Sequence, residues 1–158
     1  MGESRLNDTA FMRLALDEAR LALLRGDVPV GALVVDENGN ILGTGANVKT
    51  NDPTAHAEIS AIRTAASALG RWNLNGCSLY VTLEPCPMCA GACVSARIRR
   101  VVFGASDPKA GAGGTLYNIL RDTRLNHRCE IRPGVLSDES LRLLREYFSG
   151  RRKHRGIE

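Results

Sequence analysis

Aromatic side chains are scarce in this sequence: they make up 4% of 158 residues, with one Trp, three Tyr and three Phe. Sequence-tolerant binding of single-stranded nucleic acid needs several aromatics on one face, so an open stacking platform is excluded. No stretch approaches the roughly 20 apolar residues of a membrane span. The opening Met1-Gly2-Glu3-Ser4-Arg5 lacks the apolar run of a signal peptide. The expectation is a cytoplasmic protein with no membrane partner. The five cysteines are an odd number. Without secretion signals, that speaks against a disulfide framework and for metal or redox use. Repeats, low-complexity segments and linkers are missing. The glycine-rich Gly111-Ala112-Gly113-Gly114 lacks the lysine and spacing of a phosphate-binding P-loop.

What is present is enough for one core. A 44% hydrophobic content in a chain of this length predicts a single domain over residues 1–158. The net charge of +4 is unevenly placed. Arg142, Arg145, Arg151, Arg152, Lys153 and Arg155 face only Glu146 between positions 142 and 155, leaving 15 basic and 16 acidic residues elsewhere. Such a basic C-terminal helix or tail is either a solvated face or a phosphate contact.

Local patterns order the elements. Asn7-Asp8-Thr9 offers caps for a first helix that ends near Arg25-Gly26. Ala32 to Val35 and Ile41 to Gly43 flank the turn Asp36-Glu37-Asn38-Gly39-Asn40, a hairpin. A helix is predicted from about Ala55 to Leu69, a buried strand from Cys77 to Leu83, and a small-residue helix from Met88 to Ala96. Arg100 to Phe103 reads as another strand, Asp107 to Asn118 as a loop, and Glu130 to Arg132 as an edge strand. A last helix from Ser137 to Phe148 is expected to turn Leu141, Leu144 and Phe148 inward. Helix, hairpin, then α-β-α-β predicts an α/β fold whose mixed sheet has a parallel portion and helices on its faces.

Two motifs carry chemistry: His56-Ala57-Glu58 and Pro85-Cys86-Pro87-Met88-Cys89. Alone, the second could be half of a structural zinc site or a redox pair. Together, His56, Cys86 and Cys89 are three ligands suited to Zn²⁺, and an open fourth position is the pattern of catalytic zinc. Cys77, Cys93 and Cys129 remain open as a fourth ligand, although Cys77 and Cys93 also suit a small-residue core. In mid-helix, positions 56 and 58 would point about 200° apart. They converge if the helix starts close to His56, with Thr54 as its N-cap. Cys86 sits where a strand gives way to a helix. Two helix N-termini would then favour thiolates at the metal. A carboxylate beside the zinc but not on it, Glu58, is the natural acceptor for a proton from water there.

The pattern H-x-E with P-C-x-x-C resembles the zinc-dependent nucleobase deaminases. The likeness extends through Val28-Pro29-Val30-Gly31-Ala32, Asp52 to Glu58, Leu79 to Cys86, Met88 to Ala92, Arg100 to Ala105, Asp107 to Ala112 and Asn126-His127-Arg128. These segments are similar to the bacterial tRNA wobble-adenosine deaminases and span nearly the whole chain. Two departures are a shorter loop between Asn47 and His56, and Ala46 where that pattern carries tryptophan.

The resemblance implies a cytidine deaminase-like three-layer α-β-α sandwich with a five-stranded sheet, a homodimer and one Zn²⁺ per chain. It implies conversion of adenosine to inosine at position 34 of a tRNA anticodon, chiefly an arginine tRNA. His56, Cys86 and Cys89 would hold zinc, and Glu58 would be catalytic. Asn47 would touch the extruded base, Val28 and Pro29 would wall its pocket, and Asp107 would lie against the anticodon backbone. Arg121, Arg124, Arg128 and the tail would grip phosphates of the anticodon stem-loop. The competing readings are a deaminase of free bases or nucleotides, a structural zinc fold that holds RNA, and a thiol redox protein.

Overall fold

The computed structural model describes residues 3–48 and 52–155, with side chains from 8 to 48 and from 52 to 150. Its elements run α1 (Glu3–Leu24), β1 (Gly31–Val35), β2 (Ile41–Ala46), α2 (Ala57–Leu69), β3 (Ser78–Leu83), α3 (Pro87–Ser95), β4 (Arg100–Ala105), β5 (Glu130–Arg132) and α4 (Ser137–Arg155). The strands form one sheet in the order β2-β1-β3-β4-β5. β1 is antiparallel to β2 and β3, whereas β3, β4 and β5 are parallel. The mixed five-stranded α/β sheet is the expected one.

Strand alternation builds the two faces. Ala32 and Val34, Leu79 and Val81, and Val101 and Phe103 pack with Ala57, Ala61 and Ala65 of α2 and with Ala90, Cys93 and Val94 of α3. Leu33, Tyr80 and Val102 lie in register across the sheet and pack with Met12, Ala15, Leu16 and Ala19 of α1 and Leu143 of α4. That makes three layers, α2 and α3 on one side and α1 and α4 on the other.

The helix nearest the site is drawn close by small residues. A Cβ on Gly45 of β2 would meet the Ala57 carbonyl oxygen at 2.2 Å. Only a strand glycine lets the first turn of α2 approach this near.

The sequence reading needs three corrections. α1 begins at Glu3, not at a cap near Asn7. Asp8 therefore sits inside the helix, where it is fully buried and accepts hydrogen bonds from Tyr80 (2.6 Å), Arg100 and Arg132. The inner face of α4 is Ser140 and Leu143, while Phe148 is 49% exposed. Leu141, Leu144 and Phe148 instead line an outer groove with Lys109 and Arg145. Two interleaved spacings of three and four exist on that helix, and contact with β4 selects the other one. Finally, Thr54 does not cap α2. The tail's basic side chains, 151–155, lie outside the described residues.

Candidate active site

Two helix starts meet here. His56 is the N-cap of α2 (φ −78°, ψ 154°) and Cys86 that of α3 (φ −73°, ψ 172°). Both have extended backbone, as N-caps do. This is why residues 56 and 58 converge: the helical rotation has not begun at His56. Neither residue makes a side-chain capping bond to its helix. For α2, Asn47 supplies the missing cap, its Oδ1 accepting from the Ala57 amide at 2.8 Å. Thr54 is engaged upstream instead, its amide and hydroxyl both donating to Asp52 (2.8 and 2.6 Å). In α3, Pro87 takes a first-turn position where its missing N–H costs nothing.

The Sγ atoms of Cys86 and Cys89 lie 3.7 and 3.5 Å from Nδ1 of His56. Among the described residues, these three form the one group of His, Cys, Asp or Glu close enough to share a metal ion, with donor atoms within 4.8 Å of one another. Two soft sulfurs and an imidazole fit zinc by chemistry. A hydrogen bond from the Cys89 thiol, ahead of other causes, brings Cys86 down to about 5, and the same bond together with burial pushes Cys89 far up. The pair thus favours a thiolate at Cys86. Cys77, Cys93 and Cys129 are buried in the core outside this group, and burial raises the pKa of each.

Glu58 is 4% exposed in the first turn of α2. Burial raises its pKa to about 7, with the Cys86 thiolate adding to the rise and His56 opposing it. It lines a cavity of about 240 Å³ with Val28, Val30, Asn47, His56, Cys86 and Asp107. Of the expected pocket residues, Val28, Asn47 and Asp107 line this cavity; Pro29 is buried and is not part of its lining. Arg121 and Arg128 line a different cavity beside β5 that shares no residue with this one. Arg124 is engaged with Asp122 at 2.7 Å.

Glu84 is a positioning residue that sequence reasoning left inside a motif. It is 2% exposed and accepts from the amides of Asp107 (2.9 Å), Gly113 (2.9 Å) and Thr115 (3.1 Å) and from the Thr115 hydroxyl. Burial alone would raise its pKa, yet these donors hold it below the usual carboxylate range. Glu84 thereby fixes the loop that carries Asp107. The Asp107 carboxylate is itself aimed by the Lys109 and Ala110 amides (2.9 and 3.2 Å).

Residues 5–105 match the family model of the cytidine and deoxycytidylate deaminase zinc-binding region. The chain is 47% identical over 148 residues to the tRNA-specific adenosine deaminase of Bacillus subtilis (strain 168), covering 92% of this chain and 91% of that one. It belongs to the tRNA-specific adenosine deaminase family. The Haemophilus influenzae member is 46% identical over 153 residues, covering 96% of this chain and 88% of its own. A solved structure from work on A-to-I editing by tRNA:A34 deaminases superposes with a TM-score of 0.82 at 46% identity. That match covers 86% of this chain and 99% of the other. For a deaminase of this family, the zinc-binding region and the His56, Cys86 and Cys89 group coincide.

Proposed function

We propose that the chain is a zinc-dependent hydrolase that deaminates adenosine to inosine at the wobble position of a tRNA anticodon, chiefly an arginine tRNA, and releases ammonia. The observation that carries this reading is Glu58, a buried carboxylate beside a His-Cys-Cys donor set at the wall of a cavity. Zinc held by His56, Cys86 and Cys89 would supply the Lewis acidity that makes water nucleophilic near neutral pH. Glu58 takes the proton from the water that attacks C6 of the extruded adenine. It then passes protons to N1 and to the departing amine. A carboxyl whose pKa is raised by burial suits both directions of transfer.

The remaining residues hold the base. Oδ1 of Asn47 is committed to Ala57, so its Nδ2 is left to donate to an acceptor on the purine. Val28, with Pro29 next to it, walls the cavity, and Asp107 lies on the bound strand's side. The basic residues of 142–155 hold anticodon phosphates. We assign the protein to the cytoplasm, acting as a homodimer and as one domain. The exposed Trp72, Leu116 and Tyr117 are apolar surface that pairing of two copies would cover. No described helix is long and apolar enough to cross a membrane.

The deciding experiment is sequencing of inosine after total tRNA is incubated with the purified protein, alongside ammonia release from free adenosine, guanine and cytidine. Inosine at the wobble position of an arginine tRNA is the expected result. Ammonia from a free base with no inosine in tRNA would assign the site to small substrates instead.

A further inference from the structure

Val28, Asn47 and His56 line two cavities at once, that of Glu58 and a second of about 220 Å³. The second, open to solvent, is also lined by Asp27, Val48, Asp52, Pro53, Ala55 and Tyr147. Among the described residues two carboxylates and no lysine or arginine line it; Asp52 is already engaged by Thr54, so Asp27 is the acceptor it offers to a hydrogen-bond donor.

Asp27 is the unusual member. Helix α1 ends in a Schellman turn: Gly26 has φ +82°, its amide donates to Leu23 O (3.0 Å), and the Asp27 amide donates to Ala22 O (2.9 Å). The residue in the place of Asp27 is ordinarily apolar and packs back on the helix. Here it is a carboxylate, 5% exposed, with no hydrogen bond or ion pair to a described residue. It also lies at the helix's C-terminal end, where the backbone dipole disfavours negative charge. A carboxylate at the wall of this cavity with no described donor is completed by a hydrogen-bond donor that enters the cavity.

We propose that Asp27 is a specificity-determining residue that accepts a hydrogen bond from the substrate strand beside the reacting adenine. On the tRNA reading, on which this rests, such donors are ribose 2′-hydroxyls and the exocyclic amines of neighbouring bases.

The test measures kcat and KM for inosine formation by the wild type, Asp27→Ala and Asp27→Asn. Substrates are an all-ribose anticodon stem-loop, loops with a single 2′-deoxy sugar at the reacting nucleotide or either neighbour, and loops whose neighbouring base lacks an amine. Zinc content and thermal midpoint are followed in parallel. On the all-ribose loop, Asp27→Ala should lose about 10- to 100-fold in kcat/KM, mainly through KM. Asp27→Asn, which keeps an acceptor oxygen, should recover part of this. One donor-deleted loop should cost the wild type the same factor and cost the alanine variant nothing more. A deoxy loop showing this pattern identifies the ribose; an amine-free loop identifies the base. Equal losses on every substrate, or none on the all-ribose loop, would overturn the proposal. If Asp27→Ala fails to fold, the wild-type series decides alone, and indifference to every single deletion refutes it. Absence of inosine from the wild type on the all-ribose loop refutes the tRNA reading instead, which is a separate result.

Discussion

Asp8 and Glu58 are carboxylates shut away from solvent on opposite faces of one sheet, at 0% and 4% exposure. Burial raises the pKa of both, but the outcomes diverge. Asp8 receives Arg100, Tyr80 and Arg132, and these donors hold it below the ordinary carboxylate range despite burial. Glu58 has no guanidinium beside it among the described residues, and burial raises its pKa to about 7. Partners, not depth, decide whether a buried carboxylate is a fixed charge or a mobile proton. On the proposed function, the carboxylate held by cations is structural and the one without them among the described residues is the proton carrier.

The contrast can be broken by exchanging roles. Glu58→Gln should lower inosine formation by about 10²- to 10⁴-fold, the usual range for general acid–base catalysis, with zinc content unchanged. Substantial activity in that variant would remove Glu58 from the proton path. Asp8→Asn should do the reverse, costing about 2–4 kcal/mol in denaturant titrations while folded protein keeps its kcat. This is below the usual 3–5 for breaking a buried pair because Arg132 is 39% exposed. The sign of its pH dependence follows. A depressed native pKa adds stability above the unfolded value near 3.8, and that stability is lost as pH falls through the native pKa. The wild type should therefore lose stability more steeply than Asp8→Asn below about pH 4.

Glycine substitutions sharpen the comparison at smaller cost. An added Cβ would meet Ala15 O at 2.0 Å from Gly31, against α1, and Ala57 O at 2.2 Å from Gly45, against α2. Each alanine variant should lose about 1–3 kcal/mol by overpacking. Only Gly45→Ala should also lower kcat in folded protein, because it displaces the turn that holds Glu58. Equal kcat losses in both would show that the two faces are mechanically coupled. Removing residues 151–155 should have the mildest effect: weaker tRNA binding, a salt slope reduced by up to about 3, and normal zinc content. An unchanged slope would return those charges to solvent.

The sheet and the metal donors were legible because both leave marks within a few residues. Alternation of Leu33 and Val34, or Tyr80 and Val81, sorts side chains to two faces at a fixed period, and His56, Cys86 and Cys89 lie in short motifs. Asp8 was missed because its partners are 72, 92 and 124 positions away, and a short local reading makes Asn-Asp-Thr a cap. Glu84 was hidden by rank within a motif: nothing local reveals that it binds a loop about 30 residues on. Asp27 lies just past the expected helix end at Arg25-Gly26, and no motif marks it. Its meaning depends on what fails to surround it. The arginines near β5 line a cavity apart from that of Glu58, a placement that charge counts, having no direction, do not reveal.

Asn47 has a consequence for redesign. Its oxygen holds the first turn of α2, and on the proposed function its nitrogen is the group offered to the purine. A change of base preference attempted at this position would unsettle the segment bearing His56 and Glu58 together with the recognition it was meant to alter. Val28 and Asp107 border the same space without supporting that helix. Selectivity is therefore free to drift from the walls of the pocket, while its hinge-pin stays fixed.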